Sequence, residues 1–138
     1  MRALAPQAVV HVVFQRGDGD CAIAAIAMYL GVSYEDVLAA AVTRGKKPDH
    51  TIHRRGFYTP AIIQTGKRLG VKLKHTRHVD LEASNGILGL VSHKRGEPDH
   101  VVLLREGLVF DTDGSVWEPD VYFSHHHYQP TDLITRRD

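Results

Sequence analysis

The sequence predicts an α+β domain, with helices first and an antiparallel sheet second. Three observations predict it. Residues 21–30, CAIAAIAMYL, are apolar on every side and meet Gly31 where a helix would stop, which describes a helix buried all round. After Gly70 the pattern switches to period two, with Val71 and Leu73 alternating with Lys72 and Lys74. Three further strand-like runs then follow closely, at 87–92, 100–105 and 108–112, the last two separated only by a Glu106-Gly107 hairpin turn.

The remaining elements follow from local signals. Residues 8–14 alternate weakly and read as a short strand; His11 interrupts the apolar N-terminal stretch and no small-residue cleavage site follows, so a strand is preferred to a secretory signal. The run GDGD at 17–20 is turn chemistry, with Asp20 placed as N-cap of the buried helix. Ser33 and Asp36 form a capping box that opens a second helix to about Thr43. Residues 44–56 make a basic, breaker-rich loop, read as a solvated segment rather than a site for an acidic partner. Thr59-Pro60 supplies an N-cap and an N1 proline for a helix ending at Leu69-Gly70. The tail is rich in aromatics, Trp117, Tyr122, Phe123 and Tyr128, expected to cover the open sheet face and in part to line a substrate groove.

Size and composition bound the function. A chain of 138 residues is one domain, 1–138, and 43% hydrophobic with 24% charged residues places it among globular proteins. Seventeen basic residues against sixteen acidic ones give a net charge of +1, which argues against a nucleic-acid partner. No apolar run approaches the ~18 residues of a membrane span, so the expected setting is the cytoplasm with no membrane partner. A single cysteine excludes an internal disulfide framework and CxxC metal or redox motifs. That thiol is either packing or chemistry.

Cys21 stands where a reactive thiol would stand. It occupies the first turn of the buried helix, where unpaired N–H groups favour thiolate, although Asp18 and Asp20 oppose it. His100, at the start of a core strand, would be a rigid base and acid, and Asp111 on the next strand could hold its imidazole in one tautomer. Gln15, six residues before Cys21, could donate to the oxyanion formed when the thiolate attacks a carbonyl. The bland alternatives are a packed cysteine and a strand-ending glutamine. His125, His126 and His127 sit together, and His50 and His53 are three apart. Neither group has catalytic zinc spacing, and adjacent histidines on an extended chain face opposite ways, so no metal or other cofactor is expected.

The stretch QRGDGDCAIAAIAMYLGVSYEDV resembles the active-site segment of papain-like cysteine peptidases. It is most similar to the bacteriocin-processing, double-glycine-leader peptidase family and its stand-alone relatives. TPAIIQTGKRLGVKLK resembles that family's second helix and strand, and PDHVVLLREGLVFDTDG its hairpin of His-strand and Asp-strand. The resemblance runs from Gln15 to Gly114 and leaves the last 24 residues outside. It departs at Ala22, where the family usually has glycine, and at Thr112, where it usually has proline. It implies a papain-like fold, the buried Cys helix packed on a sheet carrying His and Asp. It further implies a cysteine peptidase acting on a peptide or protein, with Cys21 as nucleophile, His100 as base and acid, Asp111 as orienter, and Gln15 with the Cys21 N–H as oxyanion hole. Rival readings are a cell-wall amidase or endopeptidase, a deamidase or transglutaminase, and a binding module that kept the fold without turnover.

Which acid orients His100 is a register question. With a two-residue turn at Glu106-Gly107, His100 lies opposite Asp113 and diagonal to Asp111, all on one face. Asp111 is preferred because it follows the apolar run Leu108-Val109-Phe110 and should be better buried.

Overall fold

The computed structural model describes residues 10–16, 20–41, 59–94 and 100–137. Among them the order is helix α1 (Cys21–Leu30), α2 (Tyr34–Ala40), α3 (Thr59–Arg68), strands β1 (Leu73–Thr76), β2 (Gly86–Ser92), β3 (His100–Arg105), β4 (Leu108–Phe110), β5 (Val116–Trp117), helix α4 (Pro119–His126) and strand β6 (Tyr128–Arg136). The protein is therefore α+β, as its hydrophobic periods predict. No single helix among the described residues is long and apolar enough to cross a membrane.

The apolar run at 21–30 is a helix buried from Cys21 to Met28, and its alanines let it lie close against the sheet. Gly31 ends it in the left-handed conformation, φ 69°, which glycine adopts without the Cβ clash other residues meet. Its N–H bonds to the Ala27 carbonyl at 2.9 Å. Ser33 caps α2 by accepting from the Asp36 N–H at 3.0 Å. That helix stops at Ala40 rather than running to Thr43, because Ala41 turns extended with its side chain buried in the core. Residues 42–58, which hold the basic loop with His50 and His53, lie outside the described residues, as does Asp18.

Among the described residues all strand pairs are antiparallel and form one six-stranded sheet, β1-β6-β2-β3-β4-β5. One core lies between its helix-covered face and α1, α2 and α3, where Ile23, Ile26, Val37 and Ile62 meet Leu73, Ile87 and Ile134. The other packs Leu88, Leu90, Val102, Leu104, Val109 and Leu133 around Tyr122 of α4.

Three expectations are corrected. Of the strand expected at 8–14, residues 8 and 9 lie outside the described residues and 10–14 form none: Val13 packs against the helix core while Val12 and Phe14 stay exposed, so the weak alternation does not bury a face. The run at 108–112 keeps the ladder only to Phe110. The tail does not simply cover the sheet. Its α4 covers one face, but β6 enters the sheet between β1 and β2. Pro130 conceals this strand in the sequence; it is accommodated where the β2–β6 register shifts between Gly89 and Leu90.

Candidate active site

Cys21 is the first residue of α1 and is 2% exposed. Asp20 precedes it in the N-cap position, with its carbonyl accepting from the Ile23 and Ala24 N–H groups at 3.1 and 3.3 Å. Its carboxylate does not cap the helix, contrary to expectation. Fully buried, it takes the Arg16 N–H at 2.7 Å and the Tyr34 hydroxyl instead. Asp20 thus fastens the segment carrying Gln15 to α2. Burial, then the bond to Asp20, pushes the Tyr34 hydroxyl well above its ordinary range, so it stays a donor. Arg16 also lies over the Tyr34 ring, 3.9 Å from its centroid, and pairs at the surface with Glu35.

His100 and Asp111 meet as β3 begins and β4 ends. The turn at Glu106-Gly107 has two residues with positive φ, 52° and 76°, and sets Arg105 opposite Leu108, Leu104 opposite Val109 and Leu103 opposite Phe110. Beyond Phe110 the chain leaves the ladder. Asp111 swings its carboxylate onto His100, with Oδ1 2.8 Å from Nε2. Asp113, directly opposite by count, is instead spent on its own turn, accepting from the Ser115 N–H at 2.9 Å and from the Ser115 hydroxyl. The structure brings Asp111, not Asp113, to the imidazole.

Two further donors hold that carboxylate. The Thr112 N–H gives to Oδ1 at 2.7 Å and the Tyr122 hydroxyl to Oδ2 at 2.9 Å. Burial alone would raise Asp111, but the bond and charge of His100, followed by the Tyr122 and Thr112 bonds, hold it below the usual carboxylate range. Burial works against a charged His100 as well. Hydrogen bonds to Asp111 and then to Cys21 overcome it and push the imidazole up to about 10. The ring is seated against Tyr128, centroids 5.6 Å apart and nearly parallel.

Gln15 joins the same site through Thr112. Its backbone N–H bonds to the Thr112 carbonyl at 2.8 Å, and its side-chain oxygen accepts from the Thr112 hydroxyl. No family model, curated protein or solved structure matches the chain. What the site can do therefore rests on this geometry.

The arrangement supplies a thiol at a helix N-terminus, an imidazole bonded to it, a buried carboxylate behind the imidazole and an anchored carboxamide nearby. That set can deliver a thiolate to a carbonyl and a proton to its leaving group. Three residues enter the site in roles the sequence does not assign them: Tyr122 and Tyr128 from the tail, expected only to cover the sheet and in part line a groove, and Thr112. Tyr122 and Tyr128 are signalled only by the aromatic density of the tail, because tertiary contact ties them to the site, whereas Thr112 is marked by its place beside Asp111. The histidine triplet is likewise not an extended run. His125 and His126 end α4, with His126 stacked 4.2 Å from Tyr122 and its Nδ1 3.0 Å from the Tyr122 carbonyl, while His127 turns left-handed. Among the described residues no group of three His, Cys, Asp or Glu side chains could hold a metal ion.

Proposed function

We propose that the chain is a papain-like cysteine peptidase or a closely related thiol acyl hydrolase. The observation that carries the reading is His100, hydrogen-bonded to Cys21 and, through Nε2, to the buried Asp111. The raised imidazole supports a resting thiolate–imidazolium pair. The thiolate attacks an amide carbonyl, forming the S–C bond, while Gln15 and the Cys21 N–H donate to the oxygen that becomes negative. As the tetrahedral species collapses the C–N bond breaks, and His100 gives its proton to the departing amine. Water then adds to the thioester with His100 taking its proton, and breaking the S–C bond restores the thiolate and releases the acid. Placement of Gln15 beside the His–Asp pair favours this reading over cell-wall hydrolases that share only the Cys-then-His order.

The test is intact-mass analysis after treatment with a broad papain-type epoxide, followed by peptide-library profiling. One adduct on the wild type and none on Cys21→Ser, with cleavage of library peptides, is the expected result. A wild type that stays unlabelled and inert makes the fold a binding scaffold.

A further inference from the structure

Resting on that reading, the inference concerns how the oxyanion donor is aimed. A carboxamide has an acceptor end and a donor end, and only the donor end helps an oxyanion. Rotated by half a turn, Gln15 would set its oxygen against the developing negative charge. Something must choose between the two orientations. The Thr112 hydroxyl is bonded to the Gln15 oxygen. A hydroxyl has one proton to give, so the choice depends on where that proton goes. Its other acceptor, Asp111 Oδ1, lies 3.5 Å away, at the limit of a hydrogen bond, and already accepts from His100 and the Thr112 N–H. The proton therefore goes to Gln15, committing the oxygen end to Thr112 and turning the nitrogen end the opposite way.

Thr112 is well placed to hold this choice. It is fully buried, its N–H grips the Asp111 carboxylate, and its carbonyl takes the Gln15 backbone N–H. One residue thus touches the acid of the His–Asp pair and both the backbone and the side-chain oxygen of the glutamine. We propose that Thr112 is a positioning residue that fixes the orientation of the Gln15 carboxamide and so sets the rate of acyl transfer to Cys21, separately from the reactivity of the thiol.

The experiment compares two reactions of Cys21 in the same variants. p-Nitrophenyl acetate acylates the thiolate through a tetrahedral oxyanion, whereas iodoacetamide alkylates it by displacement with none. Thr112→Val keeps the branched shape and the backbone bonds but removes the hydroxyl. Its acylation rate should fall about tenfold to a hundredfold, the scale of a misaimed catalytic group. Its alkylation rate and pH profile should match the wild type. Thr112→Ser should restore acylation, and Thr112→Val should add little in a Gln15→Ala background. Unchanged acylation in Thr112→Val would overturn the inference and leave the hydrolase reading intact. So would an equal fall in acylation and alkylation, which would put the effect of Thr112 on the His100–Asp111 pair. If Cys21 acylates at the wild-type rate in Gln15→Ala, the oxyanion role of Gln15 is lost and the inference with it.

Discussion

Tyr122→Phe isolates one buried hydrogen bond whose size and pH dependence can both be worked out. The hydroxyl donates to Asp111 Oδ2 at 2.9 Å, with Tyr122 fully buried and Asp111 6% exposed. Phenylalanine keeps the ring that fills the second core and removes only the donor. A hydrogen bond to a charged group is worth about 1.5–3 kcal/mol. At ~2.1 cal/mol/K per residue, unfolding this chain of 138 residues carries about 0.3 kcal/mol/K of entropy. The melting temperature at neutral pH should therefore drop by about 5–10 °C. The sign of the pH dependence follows from linkage. Asp111 is depressed in the folded state, so the stability it contributes is present above its unfolded value near 3.8 and lost as pH falls through the folded one. Tyr122 is among the causes of that depression, so the gap between the two proteins should narrow as the carboxylate protonates. Thermal melts followed by circular dichroism across acid and neutral pH measure it. A gap that stays constant with pH would mean that the hydroxyl acts through packing rather than the carboxylate, and a shift below about 2 °C would refute the bond's assigned worth.

Three other outcomes follow from the same site. Iodoacetamide alkylation of Cys21 should titrate in the acidic-to-neutral range, because His100 holds its proton up to about 10; a single transition at the free-thiol value of about 8.5 would remove the ion pair. Asp111→Asn should lower turnover strongly, by as much as about 10⁴ if the wrong tautomer dominates. Asp113→Asn should change it little, because Asp113 only accepts from Ser115; the reverse ranking would transfer the orienting role. Finally, the raised imidazole contributes stability in full below its ordinary 6.5, lost as pH climbs toward about 10. Cys21→Ser removes one of the groups raising it, so the alkaline decline in melting temperature should begin at lower pH, and coincident curves would show that no thiolate supports the histidine.

How much of this was legible in the sequence depended on whether local chemistry or distant contact decided each element. Hydrophobic period and capping marked α1, the Ser33 cap and the Glu106-Gly107 turn, because each is specified by residues within a few positions. The choice of Asp111 over Asp113 was legible for a related reason. Burial after an apolar run is a local property, even though the swing out of the ladder that delivers the carboxylate is not. Strand β6 was hidden by Pro130 and by charges in YQPTDLITR, since its pairing with both β1 and β2 is a tertiary fact. Asp20 shows the converse. N-cap propensity put it in the right position, but the buried Tyr34 hydroxyl and the Arg16 N–H outcompeted the helix for its side chain. Tyr122 reaches Asp111 from a helix whose sequence, PDVYFSHH, marks no tyrosine as special.

The two buried carboxylates show how a thiolate can be sustained beside them. Asp20 adjoins Cys21 in sequence and Asp111 backs its histidine, so both would oppose a third negative charge. They are satisfied by different means. Asp111 faces the cation, sharing His100 with Cys21, and its remaining need is met by the neutral donors Thr112 N–H and Tyr122. Asp20 draws on the Arg16 N–H and the Tyr34 hydroxyl, both neutral, with the guanidinium of Arg16 stacked over that same tyrosine. In the proposed reading one histidine is thus kept for a Cys21 thiolate and Asp111, and Asp20, the acid next to Cys21 in sequence, does not compete for it. An Asp20 carboxylate that capped α1 would have occupied the very N–H groups whose partial charge favours the thiolate. Turning it instead toward α2 leaves the helix N-terminus to Cys21 and anchors the segment that presents Gln15.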